Sequence, residues 1–342
     1  MMRTRLFVSL LCVLNLAVTT SVFAENNESK REFLSPYDNS GTWTFVWEND
    51  YFANTDRNYT NGVRMSYISG FKKPNGVSKF VAENILGADD EAGIRRGFAI
   101  GHSIFTPQDI TTATPLPDQH PYAGWLYGEY TVVVEQRNVV DQFTLQTGMV
   151  GPSAQGEFVQ NNWHKLINGD PANGWDNQIK NEFGMVLSYD RKMRALLSIG
   201  DSSFGADATP SFGWSVGNIH TNARVGVTFR LGTDLTNDYG PPRVRPSLAG
   251  SGFFAPKKKF SWYLFAGANG TAVAQNIFLD GSLFRDGDPS VDSNTFFGDF
   301  QVGIAMQVRR AQIAYTYVVR TKEFTQQENA QEFGAVSISV KF

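Results

Sequence analysis

Residues 333–342 read Phe333-Gly-Ala-Val-Ser-Ile-Ser-Val-Lys-Phe342, and their alternation decides the fold. Val336, Ile338, Val340 and Phe342 fall on one face of an extended strand; Ser337, Ser339 and Lys341 fall on the other. An apolar face backed by a small-polar one suits a wall with lipid on one side and a wet lumen on the other. A chain that ends in such a strand, on an aromatic residue, predicts an all-β protein: a single transmembrane antiparallel β-barrel.

The same stripe recurs upstream. Trp43, Phe45 and Trp47 alternate with Thr44, Val46 and Glu48, and Phe143, Leu145 and Met149 with Thr144, Gln146 and Gly148. Val225, Val227 and Phe229 alternate with Arg224, Gly226, Thr228 and Arg230. Phe300, Val302, Ile304, Met306 and Val308 do so with Gln301, Gly303, Ala305, Gln307 and Arg309. Arginine is tolerated in a wet lumen and costly in hydrocarbon, so these positions assign the inside of the wall. A soluble β-sandwich would also alternate, but it would not need so many wholly apolar stripes.

The pattern predicts about twelve strands, near residues 41–50, 59–70, 95–105, 121–135, 141–151, 178–190, 193–204, 220–231, 259–272, 296–308, 310–322 and 332–342. An even number returns both ends to the periplasm. Connections 51–58, 106–120, 152–177, 205–219, 273–295 and 323–331 then face outward, while 71–94, 136–140, 191–192, 232–258 and 309 face the periplasm. The long segments 71–94 and 232–258 have no function legible in the sequence.

The other end of the chain agrees. Residues 1–24 carry Arg3 and Arg5, then an apolar run, then Val22-Phe-Ala24, the pattern of a secretory signal peptide. The single cysteine, Cys12, lies inside it, and Leu11 stands where a lipoprotein signal needs a small residue. Residues 25–40 read as a polar lead-in, and 41–342 as the barrel. Without Arg3 and Arg5, 28 basic residues remain of 30, against 33 acidic ones, a net charge of −5 that gives nucleic-acid binding no support. No later stretch approaches the ~18 consecutive apolar residues of a membrane helix.

Three polar clusters fall on the outward-facing connections. Glu48-Asn49-Asp50-Tyr51-Phe52 ends the first strand, and Thr55-Asp56-Arg57-Asn58-Tyr59-Thr60-Asn61-Gly62 enters the second. Strand parity aims Glu48, Asp50 and Thr60 into the lumen, and hairpin pairing brings Asp50 beside Thr60 near the outer rim. The plain alternative is a polar hairpin satisfying a wet lumen. The second cluster, Gln160 to Asp170, reads as part of a short helix over 155–168, with Ser153 as a start signal and Gly169 as a stop. Gln160 and His164, four apart, share a face of that helix, which could press His164 toward Asp50 and Thr60. The third, Pro117 to Tyr127, contains Asp118 and His120, and its Tyr and Trp residues suit an interfacial aromatic girdle.

In this order the clusters resemble the lipid A 3′-O-deacylase family of outer-membrane enzymes. The resemblance runs from Asn49-Asp50 through Tyr59-Thr60-Asn61-Gly62, Pro121-Tyr122-Ala123, Gly151-Pro152-Ser153, Gln160…His164 and Trp175-Asp176-Asn177-Gln178 to the Phe342 strand. It implies a twelve-stranded barrel in the bacterial outer membrane with a calcium-dependent esterase site at the outer rim. The implied substrate is the 3′-linked acyloxyacyl group of lipid A in lipopolysaccharide. Asn49, Asp50, Thr60 and His164 match the family's catalytic positions. The family's acid falls on Asp170, where this chain has aspartate in place of glutamate, one methylene shorter; Glu157, Asp176 or Glu182 could take its place.

On this reading His164 takes a proton from water, and hydroxide attacks the ester carbonyl. Calcium held by Asp50 and Asp170 stabilises the oxyanion. Asn49 and Thr60 orient water or the oxyanion, and Gln160 holds the histidine. Two rivals remain. An outer-membrane phospholipase would pair serine with histidine, but His102-Ser103 is the nearest match and alternation turns the two apart. A non-catalytic barrel, either a pore, an adhesin or an inactive relative, is the other. The sequence leaves the oligomeric state open.

Overall fold

The computed structural model describes residues 38–53, 58–136, 138–241 and 252–342. The expected signal peptide and most of the lead-in lie outside the described residues, as do residues 54–57 of the first hairpin connection.

Thirteen strands form one antiparallel sheet: β1 (Thr42–Asn49), β2 (Asn58–Ile68), β3 (Gly93–Thr106), β4 (Ala123–Gln136), β5 (Val139–Val150), β6 (Glu182–Met193), β7 (Leu197–Gly200), β8 (Gly205–Gly217), β9 (His220–Gly232), β10 (Phe260–Asn276), β11 (Phe296–Val308), β12 (Ala311–Arg320) and β13 (Gln331–Lys341). Twelve close a barrel. β1 pairs with β13, Thr42 opposite Lys341 and Asn49 opposite Gly334, and β6 pairs with β8. The short β7 extends the line of β6 along the same edge of β8. Among the described residues no helix is long and apolar enough to cross a membrane.

Alternation places the apolar stripes outside. On β1, Thr42, Thr44, Val46 and Glu48 are buried while Trp43 and Phe45 are exposed. On β11, Phe300, Val302, Ile304, Met306 and Val308 are all exposed, and Gln301, Ala305 and Gln307 are buried. Closure satisfies the backbone of every wall strand, which is what a lipid-facing sheet requires.

The seventh crossing corrects the sequence reading. It is β8, Gly205–Gly217, which the sequence had marked as an outward loop; the segment 193–204 supplies only β7 and the turn after it. Gly205, Pro210, Gly213 and Gly217 disguise the strand, since glycine and proline usually punctuate one. Along one edge β8 pairs with β7 through Ala208 and with β6 from Ser211. Pro210 thus sits where the neighbouring strand changes, a break that tolerates a residue with no N–H. The tight turn expected at 191–192 lies within β6, and the β8–β9 connection is only Asn218-Ile219.

From the long 232–258 segment, residues 234–241 and 252–256 turn inward and plug the lumen at the end where β1 begins and β13 ends. Asp238, Tyr239, Phe253, Phe254 and Ala255 are all buried. Arg230 donates to Asp207 at 2.5 Å and to Asp238 at 2.7 Å; Tyr263 and Gln312 also donate to Asp238, at 2.9 and 2.6 Å. Lys341 Nζ reaches the Phe254 carbonyl at 2.7 Å and Asp38 at 2.6 Å. Arg95 lies 4.0 Å from the Phe71 ring and 4.4 Å from the Phe253 ring, 2.9 Å from Asp38. Further up the lumen, Arg320 pairs with Asp299 at 2.5 Å, and Arg64 pairs with Glu129. Charges buried this deeply must be matched, because removing one partner leaves the other desolvated.

Candidate active site against the barrel wall

The site forms at the end of β1. Asn49 is the last strand residue, and Asp50–Ala53 follows as a single 3-10 turn. Asn49 ties the two together: its Oδ1 accepts from the Tyr51 backbone N–H at 2.8 Å, and its Nδ2 donates to Asn61 Oδ1 at 3.2 Å. Asn61 stands directly opposite Asn49 in the β1–β2 pair and also accepts from Trp47 Nε1 at 2.9 Å. Asn49 is thus a strut that holds the turn carrying Asp50, whose side chain is buried.

Thr60 reaches the same place by an irregularity. The β2–β3 register slips between Tyr59 and Asn61, leaving Thr60 as an extra residue. This bulge turns Tyr59 into the lumen, where its hydroxyl donates to Glu48 at 2.9 Å. Thr60 then joins the outward side, its hydroxyl 2.7 Å from that of Thr106. Strict parity had aimed Asp50 and Thr60 inward. The structure overturns that: both border a cavity of about 330 Å³ whose walls include Phe45, Trp47, Val63 and Ile104 of the outward stripe. Asp50 escapes parity because it lies beyond the strand, and Thr60 because a bulge resets it.

The cavity's other wall is the loop helix Gly156–Ile167, close to the expected 155–168. It starts without a side-chain cap, Gln155 taking a left-handed φ of 59° in place of a Ser153 cap, and ends on Asn168 at φ 56°. Its first turn reaches the wall because Gly156 has no Cβ; an added one would stand 2.5 Å from Trp175 Cη2. Trp163 meets Trp47 edge-on at 5.7 Å between ring centroids, closing the roof.

Gln160 and His164 both face the cavity and are buried. The carbonyl of Asp170 accepts a hydrogen bond from His164 Nδ1. A carbonyl can only accept, so in the neutral ring the proton sits on Nδ1 and Nε2 carries the lone pair. Gln160 is held elsewhere than expected: its Oε1 accepts from Trp175 Nε1 at 2.9 Å, and its Nε2 is buried with no acceptor among the described residues. Asp170 does not line the cavity; its side chain is exposed, and its contribution to His164 is a backbone carbonyl. Glu157 and Asp176 are exposed, and Glu182 is engaged by Asn218, Ser282 and Arg285.

A hard cation such as calcium takes six to eight oxygen ligands. The lining offers the Asp50 carboxylate and the Thr60 hydroxyl, with no lysine or arginine; the amide oxygens of Asn49, Asn61 and Gln160 already accept from Tyr51, Trp47 and Trp175. That donor set fits calcium through Asp50, with the remaining places left to carbonyls, water and substrate. The Asp50–Asp170 pair is not assembled, and among the described residues no cluster of three or more His, Cys, Asp or Glu is placed to hold a metal.

The third cluster plays another part. His120 is buried, its ring stacked on Phe105 at 5.4 Å and its Nδ1 2.8 Å from the Pro121 carbonyl. Tyr122, Trp125 and Tyr127 are buried as well, which overturns the interfacial girdle. Asp118 borders a separate polar hollow with Asn58 and Asp109. His102 Nε2 lies 2.8 Å from the Ala154 carbonyl, while Ser103 faces the lumen, so the two are turned apart as expected. Sequence reasoning missed Asn61, Trp163 and Trp175 as site residues. The signal for Asn61 was an amide in an otherwise apolar outward stripe, opposite another amide.

Fold and site together define an outer-membrane β-barrel with a buried polar cluster on its outward face. The family model described as outer membrane protein LpxR matches residues 6–342, and the chain belongs to that family. Among solved structures it is similar to LpxR from Salmonella typhimurium, with a TM-score of 0.71 and 19% identity over 88% of this chain and 100% of that one. The β domain of the Bordetella autotransporter BrkA matches more loosely, with a TM-score of 0.41 and 9% identity over 89% and 100% of the two chains. No curated protein matches the chain.

Proposed function

We propose that this protein is a calcium-dependent lipid A deacylase that hydrolyses the 3′-linked acyloxyacyl ester from the outer face of the membrane. The observation that carries the reading is His164: buried, set in one tautomer by the Asp170 carbonyl, and brought to Asp50, Thr60 and Gln160 in a largely apolar cavity. An acyl chain suits walls of Phe45, Trp47, Val63 and Ile167, and the ester suits the polar end.

His164 Nε2 accepts a proton from water as the oxygen attacks the ester carbonyl carbon. The Gln160 Nε2–H group, buried without an acceptor among the described residues, donates to the oxyanion that forms. As the tetrahedral centre collapses, the carbon–oxygen bond to the sugar breaks, and the imidazolium gives its proton to the departing sugar oxygen, which leaves as the hydroxyl. Ester and water thus become carboxylic acid and alcohol. Calcium, held by Asp50 when bound, would polarise the ester carbonyl as a Lewis acid. Asn49 keeps the Asp50 turn in place, and the Thr60 hydroxyl orients water. The plugged lumen argues against a pore, and the divergence of His102 and Ser103 argues against a serine phospholipase.

The test is a mass spectrum of lipid A after incubation with the refolded protein, with and without a calcium chelator. Loss of the 3′-acyloxyacyl group, abolished by chelation, is the expected result. Unchanged lipid A, or loss of a phospholipid chain instead, contradicts the assignment.

A further inference from the structure

The loop helix carries more apolar surface than its cavity uses. At about 100° per residue its side chains fall into three sectors. Gly156, Gln160 and His164 are buried against the wall. Glu157, Asn161 and Lys165 form a polar sector beside them. The remaining arc runs from Val159, Trp163 and Ile167, which border the cavity, to Leu166, which does not, and then through the exposed Asn162 to Phe158, which adjoins Lys165. Phe158 is 65% exposed and Leu166 74% exposed. With Val159, Trp163 and Ile167, which are exposed as well, Leu166 makes a contiguous apolar flank, and such a flank marks a surface with a partner.

The partner is set by what the sector joins. Through the Trp47–Trp163 contact it is continuous with the outward stripe of β1 and β2, where Trp43, Phe45 and Met65 are exposed. That stripe faces hydrocarbon in an outer-membrane barrel. A helix with one apolar flank and one flank bearing Glu157 and Lys165 is suited to lie in a bilayer interface, apolar flank down.

We propose that the loop helix inserts into the outer leaflet, with Leu166 among the acyl chains, Phe158 at the boundary and Glu157 and Lys165 among the headgroups. Insertion opens the cavity sideways to the leaflet at the depth of an ester linkage, so an acyl chain enters without leaving the bilayer. The insertion stands independently of the hydrolase reading; the entry route rests on it.

The experiment uses full-length protein with Cys12→Ser and single cysteines at Phe158→Cys, Leu166→Cys, Glu157→Cys or Lys165→Cys, each labelled with an environment-sensitive fluorophore. The proteins are placed in phosphatidylcholine vesicles whose acyl chains are brominated to quench. The label at 166 should be quenched several-fold more than those at 157 and 165, with the label at 158 between them. Equal quenching at all four, or none at any, overturns the proposal. For the entry route, Phe158→Asp with Leu166→Asp should slow acyl release from lipid A in vesicles several-fold while release from detergent-dispersed lipid A is kept. Equal rates in vesicles for the wild type and this variant would overturn the route. If the wild type releases no acyl chain in either medium, the hydrolase reading fails, while the quenching pattern still decides insertion.

Discussion

The lumen and the wall cavity are built from the same polar vocabulary and used in opposite ways. In the lumen, Arg230, Asp207, Asp238, Tyr263 and Gln312 satisfy one another around a plug. In the wall cavity, His164, Asp50 and Gln160 stand around about 330 Å³ of open space, and Gln160 Nε2 has no acceptor among the described residues. The first arrangement holds a shape; the second leaves hydrogen-bonding capacity for a ligand. On the proposed function, the reactive groups of this barrel therefore belong to its lipid-facing side.

The largest expected effect lies in the lumen, and it should fall on stability alone. Asp238→Ala removes the acceptor shared by Arg230, Tyr263 and Gln312 and is expected to cost about 3–5 kcal/mol. The midpoint of heat-induced unfolding, followed by gel mobility, should drop, while the folded fraction keeps its acyl-release rate. A lost rate in the still-folded protein would break the division between the two regions. Next comes Gln160→Leu, which removes the oxyanion donor and should raise the barrier by about 2.7–4 kcal/mol, with the unfolding midpoint lowered less than by Asp238→Ala, since only Trp175 Nε1 loses its acceptor. Steady-state turnover on lipid A checks it.

Smaller effects sharpen the contrast. Trp175→Phe removes the donor that holds Gln160 and should lower turnover about 2- to 10-fold, the worth of one hydrogen bond. The exposed Asp170 carboxylate should matter least. Asp170→Asn keeps the carbonyl that binds His164, so turnover should stay within about 2-fold of wild type. A large loss there would instead restore the carboxylate to the role that the family resemblance implied.

Much of the wall was legible because lipid on one side and water on the other impose a two-residue period on nearly every strand. The exceptions are local. Pro210 and three glycines hid β8, since its changing partner along one edge leaves no trace in composition. The set Asn49, Asp50, Thr60, Gln160 and His164 could be named, and the helix placed, from spacing and resemblance. The face of the wall could not, because one extra residue at Thr60 reverses the parity on which that inference relied. The plug was unreadable for a different reason: Tyr239, Phe253 and Phe254 become core only once a barrel exists to enclose them.

The account rests most directly on His164, and single-turnover release of the 3′-acyl group by His164→Ala is the measurement that tests it. A fall of about 10²–10⁴-fold, with heat-modifiable gel mobility unchanged, is the predicted result. Release at the parent rate from a folded His164→Ala barrel would contradict it and move the chemistry away from the wall cavity.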